Sequence, residues 1–215
     1  MQRLNDWDTT RAAMGGEGME QVTPGGHVVK ILNASIGEYN GKEQLILCFD
    51  VDEGTEFDGI FRRQFDIIKK RGDGTKIPQW PINGTFKQFT RDYNDSTKTN
   101  PYFKGLIQAV CDSNARYTWD WNERSLVGKY VGLIFREEEY AAKDTGEIRT
   151  TVRAFACCPA ADAPDKEPPK KKEYKGPRPQ GGAATGTATA ATNNGFTEID
   201  SDDLPFDFSG RKEVM

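Results

Sequence analysis

Basic and aromatic side chains alternate along residues 147–158, a segment with the composition of a β-strand. Residues two apart lie on the same face of a strand. One face of this segment therefore carries Arg149, Thr151, Arg153 and Phe155. Cationic groups bind phosphates and aromatic rings stack on bases, so this face could bind a single-stranded nucleic acid. Alternatively, its arginines could be solvent-exposed and pair with Glu137 or Glu139 of a neighbouring strand.

A second alternating pattern covers residues 57–65, which we predict to be a strand. Arg63 would then share a face with Phe61 and Phe65, and Arg62 would lie on the other face. Either arginine could face a DNA strand, because the sequence does not fix the register of this segment. The two phenylalanines could equally belong to the core.

Between these strands, residues 69–80 are predicted to form a long basic loop. Its bases are Lys69, Lys70, Arg71 and Lys76, and glycines interrupt them. The loop could clamp DNA, with Trp80 as the aromatic side chain that we most expect to contact a base. Tyr39, at the tip of a predicted hairpin, is a further candidate. A solvated basic loop with no ligand is the alternative interpretation.

Catalytic patterns are weak in this sequence. His27 is its one histidine, and no Ser-His-Asp or Cys-His arrangement is evident. Residues 72–75 lack the Gly-Lys-Ser/Thr end of a phosphate-binding loop. The four cysteines do not have the spacing of a metal site. We therefore expect a protein that is not an enzyme and that uses no metal or other cofactor.

The remaining patterns predict a mainly β domain. Strands are expected at residues 27–33, 43–51, 57–65, 129–138 and 147–158, and Asn40-Gly41 is typical of a tight hairpin turn. Phe86, Phe89 and Tyr93 have helical spacing, and Pro101 suits the first position of a second helix. Trp119 and Trp121 are expected to pack the helices onto the sheet. The element order predicts a five-stranded OB-fold barrel with a helical insertion between strands 3 and 4.

Composition divides the chain into four parts. We expect a flexible arm at residues 1–22, the barrel at 23–158, a disordered linker rich in Pro and Lys and then in Gly, Ala and Thr at 159–195, and an acidic tail at 196–215. The net charge is only −4, so any DNA site must be a local basic patch. No run of residues is long and apolar enough to span a membrane, and we expect a cytoplasmic protein.

The acidic tail contains a short apolar plug. Residues 196–208 hold five acids and no base, and they include Asp202, Asp203, Leu204, Pro205 and Phe206. Such a peptide suits an apolar pocket with a basic rim. It resembles the C-terminal tip of bacterial single-stranded DNA-binding proteins, and the resemblance implies recruitment of replication and recombination proteins. Residues 207–215 follow the plug here, whereas the bacterial tip closes the chain, so autoinhibition is an alternative role.

The chain as a whole resembles single-stranded DNA-binding proteins encoded by phages and mobile elements. The resemblance covers about residues 20–158 and is carried by the segments 24–28, 103–110, 117–121 and 146–150. It implies an OB-fold, sequence-tolerant binding of single strands and a role in replication or recombination, in the host cytoplasm if the protein is phage-encoded. A homo-oligomer is compatible with this interpretation. The alternative is a non-catalytic OB-fold module for protein interaction, such as a recombination accessory or virion protein.

Overall fold

The computed structural model describes residues 19–71, 77–142 and 145–176. Its helices and strands are β1 (Gly25–Tyr39), β2 (Lys42–Val51), α1 (Ile60–Arg71), β3 (Thr85–Phe89), α2 (Pro101–Ser113), β4 (Tyr130–Ala141) and β5 (Ile148–Cys158). Short 3₁₀ helices cover Ile82–Gly84, Glu123–Leu126 and Ala160–Asp165. The predictions for the first part of the arm, the second part of the linker and the acidic tail lie outside the described residues.

The five strands form one antiparallel sheet in the order β3-β2-β1-β4-β5. The long strand β1 lies in the middle and pairs with both β2 and β4. The predicted mainly β class is confirmed, and so is a helix, α2, between the third and fourth strands. Within the described part of the chain, no helix is long and apolar enough to cross a membrane.

The hairpin between β1 and β2 confirms the Asn-Gly signal. Asn40 and Gly41 have φ angles of 52° and 72°, and they connect the paired residues Tyr39 and Lys42. Two residues with positive φ make the turn whose twist matches that of paired strands. This turn fixes the register of β1 against β2.

The core lies on the inner face of the sheet, under α2. Its most buried sheet residues are Val29 and Ile31 of β1, Leu45, Leu47 and Phe49 of β2, and Val131, Leu133 and Phe135 of β4. Helix α2 begins as predicted, because Pro101 is its first residue and the Asn100 side chain accepts a hydrogen bond from the Tyr102 nitrogen at 2.9 Å. Its Leu106 and Val110 are fully buried.

The predicted strand at residues 57–65 is wrong, because this segment contains the start of α1. Its buried residues, Ile60, Phe61 and Gln64, have the spacing of one helix face. The cause lies outside the segment: the Asp50 carboxylate accepts hydrogen bonds from the backbone nitrogens of Phe61 and Arg62, at 2.9 and 3.0 Å. Those donors have no partner within a helix, so Asp50 favours the helix over a strand.

The third strand lies where a helix was predicted. Thr85–Phe89 forms β3, in which Phe86 is buried opposite Leu47 and Phe89 pairs with Gln44. Phe86 and Phe89 are three residues apart, which fits a helix as well as a strand that places them on opposite faces. Pairing with β2 decides between the two.

Residues 159–176 differ from the disordered linker that we expected to begin at residue 159. Ala163 is completely buried, and the Lys166 carbonyl accepts a hydrogen bond from the Gly26 nitrogen at 3.1 Å. Further on, Lys172 exchanges backbone hydrogen bonds of 2.8 Å with Glu137 and Glu139 of β4. Before β1, Val22 is buried in the core, so the predicted arm ends earlier than residue 22.

Candidate nucleic-acid interface

Strands β1, β2 and β3 present a continuous outer face on the side away from the core. Their pairing places these side chains together: Asn33, Ser35, Gly37 and Tyr39 of β1, Lys42, Gln44, Ile46 and Cys48 of β2, and Thr85, Lys87 and Phe89 of β3. The set includes two lysines and no acid, and we call it the acid-free face. Burial raises the pKa of the Cys48 thiol, so this group also stays neutral on that face.

The acidic residues of the same strands are directed elsewhere. Glu38 and Glu43 pair with each other on the opposite face, where Glu43 Oε1 accepts a hydrogen bond of 2.6 Å from the Thr90 hydroxyl. Asp50 is buried where it caps α1. A phosphate on the acid-free face would therefore meet Lys87 without a competing carboxylate from these strands, whereas Lys42 lies near Glu43 at the edge of the face.

Aromatic side chains gather at the hairpin end of this face. Tyr39 and Tyr93 are 55% and 59% exposed, and the Phe89 ring lies 6.3 Å from the Tyr93 ring, centroid to centroid. Lys42 Nζ lies 3.2 Å from the Tyr93 ring centroid and donates a hydrogen bond of 2.7 Å to the Tyr93 carbonyl. An ammonium group fixed over an aromatic face combines the two chemistries that a single strand requires.

The acid-free face ends just beyond this cluster. A shallow cavity of about 210 Å³ there is lined by Gly41, Lys42, Glu43, Arg91, Asp92 and Ser96. Its two cations lie beside two carboxylates, so the local charge is balanced. The cavity therefore marks the boundary of the basic surface.

Of the two arginines predicted from residues 57–65, Arg63 has a structural role. Its Nε and terminal nitrogen lie 3.2 and 3.1 Å from Glu20 Oε2, and it also donates to the Glu56 and Asp58 carbonyls. These bonds tie α1 to the chain that precedes β1. Arg63 therefore has few donors left for a phosphate.

Arg62 and Trp80, by contrast, lie together. The Arg62 guanidinium carbon is 5.5 Å from the Trp80 ring centroid, and the Phe65 ring is 5.6 Å from it. The Trp80 indole nitrogen donates a hydrogen bond of 3.0 Å to the Gly84 carbonyl. Half-buried in this way, Trp80 packs on α1 and is less accessible to a base than we predicted.

The predicted basic loop does not begin at residue 69, because α1 continues to Arg71. Lys69 and Lys70 are exposed in the last turn of α1. Arg71 is the last residue of that helix, and its side chain, together with residues 72–76, lies outside what the structure describes. The two described lysines are thus helical and do not belong to a loop.

Arg149, Arg153 and Phe155 lie on the outer face as the alternation predicted. Thr151 is on the same face but is buried and accepts a hydrogen bond from Asn83. Arg153 pairs across the strands with Arg136, which the sequence analysis missed. Phe155 is the extra residue of a β-bulge, and its ring centroid lies 3.8 Å from the Arg136 guanidinium carbon. Arg136 in turn binds Glu138 at 3.0 Å. This second basic and aromatic cluster therefore has a carboxylate of its own.

Arg149 lies further along β5, opposite Tyr140. Its terminal nitrogen is 3.1 Å from Glu147 Oε2, an ion pair with a sequence neighbour. Glu139 binds Lys171 at 2.8 Å. Arg149 is therefore partly neutralised by Glu147, a partner that was not predicted.

The structure brings together some of the predicted residues and adds others. Tyr39 lies on the acid-free face with Lys42, Lys87, Phe89 and Tyr93, none of which was predicted to bind DNA. Residues 85–89 show no alternation of apolar and polar residues, because Phe86 and Phe89 are three apart, so their pattern favoured a helix over the strand that places Lys87 on this face. Trp119 packs against the core as predicted, whereas Trp121 is 78% exposed and does not.

The described residues contain no group of His, Cys, Asp and Glu side chains that could hold a metal ion. Comparison with known proteins gives no further indication. No protein-family model matches the chain, and no curated protein sequence matches it. The functional interpretation therefore rests on the residues and geometry given above.

Proposed function

We propose that this chain is a sequence-independent single-stranded DNA-binding protein that acts in DNA replication or recombination. The observation that carries the proposal is the acid-free face, with its lysines in the sheet and its aromatic cluster at the hairpin end. The resemblance to phage and mobile-element proteins, described above, points in the same direction.

The chemistry of the acid-free face suits a single strand better than a duplex. Lys42 and Lys87 supply charge for phosphates, and Tyr39, Phe89 and Tyr93 supply rings on which unpaired bases can stack. Each stacked base contributes about 1–3 kcal/mol and every base has a π-face, so such binding tolerates any sequence.

We further propose that the sheet closes as an OB-fold barrel. The strand order, with α2 between β3 and β4, is the order that brings β3 and β5 together. In support, β3 approaches β5, and the Asn83 amide nitrogen donates a hydrogen bond of 2.9 Å to the Thr151 hydroxyl. Five strands closed in this way form a small, partly open barrel whose outer face binds oligonucleotides.

The acidic tail is proposed to recruit replication and recombination proteins through Asp202, Asp203, Leu204, Pro205 and Phe206. An acidic peptide with an apolar plug suits a basic-rimmed apolar pocket. This part of the proposal rests on sequence alone, because these residues lie outside the described ranges. The same holds for the cytoplasmic location and for a homo-oligomer.

The experiment that tests the proposal is fluorescence anisotropy with labelled oligo-dT at several salt concentrations. An oligonucleotide of about 20 residues is longer than the site of one OB domain. The chain should bind it with a salt-dependent affinity. The double variant Lys42→Gln/Lys87→Gln should bind more weakly, and its slope of log K against log salt should be smaller by about 0.7 for each lost phosphate contact.

The matched control is Lys104→Gln/Lys166→Gln, which removes two exposed charges, one on α2 and one just after the 3₁₀ helix Ala160–Asp165. It should leave both affinity and slope nearly unchanged. Equal losses in the two double variants would show that general charge, and not the acid-free face, causes binding. Failure of the unmodified chain to bind oligo-dT would contradict the proposal and favour the protein-interaction module.

A further inference from the structure

Trp121 is the most exposed aromatic side chain of the described residues, at 78%. Its backbone has a φ of 63°, in the left-handed region that is costly for a bulky residue. Burial therefore does not account for a tryptophan at this position, and backbone preference opposes it. Strained, exposed residues of this kind are concentrated at functional sites.

A network of hydrogen bonds holds the turn around Trp121. The Asp120 carboxylate accepts hydrogen bonds from the Asn122 nitrogen at 3.1 Å and from the Ser125 hydroxyl at 2.7 Å. The Tyr117 hydroxyl lies 2.8 Å from the same Ser125 oxygen. The Ser125 and Asn122 bonds lower the pKa of Asp120, which keeps the acceptor ionised. The indole of Trp121 is thus presented by a fixed loop.

Trp119 supports Trp121 from the protein side. The two ring centroids are 6.3 Å apart, with an interplanar angle of 54°, and Trp119 packs against the core. Because most of the Trp121 ring remains exposed, a planar group could still stack on it.

The surroundings of this ring favour a negatively charged ligand. Arg116 and Arg124 are exposed, and among the described residues their side chains make no ion pair. Lys129 Nζ lies 4.8 Å from the Tyr117 ring centroid. Asp120 is engaged within the loop, so its charge is partly satisfied there. The connection around Trp121 thus carries Arg116, Arg124 and Lys129 against Asp120 and Glu123, a small excess of cations that suits the phosphate of a base stacked on the exposed ring.

The end of the connection that carries Trp121 is hydrogen-bonded to strand β1. The Gly128 nitrogen donates to the Ile31 carbonyl at 2.7 Å, and the Ile31 nitrogen donates to the Lys129 carbonyl at 2.9 Å. Ile31 lies two residues from Asn33, where the acid-free face begins, and Tyr39 lies at its other end. A strand rises about 3.3 Å per residue, so the face is about 20 Å long between these ends.

We infer that Trp121 forms a second base-stacking site for single-stranded nucleic acid, separate from the acid-free face. One unpaired base would stack on its exposed indole. The inference rests on the proposed function. It adds a site on the connection between α2 and β4 that no barrel strand provides.

The test is anisotropy of the full chain with oligo-dT of about 20 residues, for Trp121→Ala and Trp121→Phe. Loss of one stacked base, worth about 1 kcal/mol or more, should lower the affinity about five-fold or more in Trp121→Ala. Trp121→Phe keeps an aromatic ring and should retain most of the affinity. Ile67→Ala, which shortens another exposed apolar side chain on α1, is the control and should bind normally.

Trp121→Gly is the control for loss of binding caused by misfolding, because glycine adopts the positive φ without strain. It should bind as weakly as Trp121→Ala while melting at a higher temperature than that variant. Unchanged affinity in both variants, with weaker binding by Lys42→Gln/Lys87→Gln, would overturn this inference and leave the proposed function standing. If the unmodified chain does not bind oligo-dT, both are overturned.

Discussion

The Asp50 carboxylate caps helix α1 from strand β2: its Oδ1 atom lies 2.9 Å from the backbone nitrogen of Phe61, eleven residues further along the chain. Its Oδ2 atom accepts the next backbone donor, from Arg62. Because Phe61 is buried against Phe49, with ring centroids 5.4 Å apart, this cap also fixes how α1 enters the core.

We predict that Asp50→Ala lowers the free energy of unfolding by about 1–3 kcal/mol, because two helix N–H groups lose their acceptor in a buried site. Urea unfolding followed by circular dichroism measures this change. Asp66→Ala, at an exposed position of the same helix, is the control and should change stability by less than about 0.5 kcal/mol. Equal effects of both substitutions would contradict the capping role.

The contact between Gly26 and Ala163 gives a second prediction. A Cβ atom added to Gly26 would lie 2.0 Å from the Ala163 carbonyl oxygen. Gly26→Ala should therefore destabilise the protein by about 1–3 kcal/mol and displace the segment at Ala160–Asp165 from β1. In α2, a Cβ atom on Gly105 would meet open space, so Gly105→Ala should stabilise by about 0.5–1 kcal/mol. Thermal melts of the two variants should shift in opposite directions; a shared direction would show that Ala163 does not pack there.

The backbone strain at Trp121 can be measured separately from its side-chain contacts. Trp121→Ala and Trp121→Gly both remove the indole, but only glycine adopts a φ of 63° without cost. Trp121→Gly should therefore be more stable than Trp121→Ala by about 1–2 kcal/mol. Denaturant midpoints compare the two. A less stable glycine variant would mean that the positive φ costs little in this loop.

Cys157 gives a prediction about pH. Burial is the main effect that raises its pKa, to about 11, and the neighbouring Cys158 adds to it. At pH 8 its thiolate fraction should be about 100-fold below that of an ordinary cysteine, and its alkylation should be slower in proportion. Pulse alkylation and peptide mass spectrometry, with urea-unfolded protein as the reference, measure the rate. The rate should still increase tenfold per pH unit above pH 9, and a plateau there would show an unshifted thiol.

The sequence predicted correctly those turns and helix ends that neighbouring residues determine. The Asn40-Gly41 turn and the Asn100-Pro101 helix start are determined by neighbouring residues, and both are confirmed. Residues 57–65 and 86–93 were assigned wrongly because phenylalanines spaced three or four apart fit either period. Their conformations depend on Asp50 and on pairing with β2, which are distant in sequence.

The candidate site was predicted only in part, for the same reason. Tyr39 could be identified as a candidate DNA-binding residue because the tip of a hairpin is usually exposed, whatever the rest of the hairpin packs against. Lys42 and Lys87 share a face only through the register of three strands, which the sequence did not specify. Arg63 was misleading, since its partner Glu20 lies in a segment that had been expected to be flexible. Trp121 is exposed because its backbone turns with a positive φ, and no pattern of residues in the sequence predicted that turn.

Ultraviolet cross-linking tests whether single-stranded DNA lies on the acid-free face. The full chain is irradiated with oligo-dT, and the cross-linked peptides are sequenced by mass spectrometry. We expect cross-links at Tyr39, Phe89 or Tyr93, the aromatic residues at the hairpin end. Cross-links confined to Trp80 and Phe155, or none at all under binding conditions, would contradict this placement of the DNA.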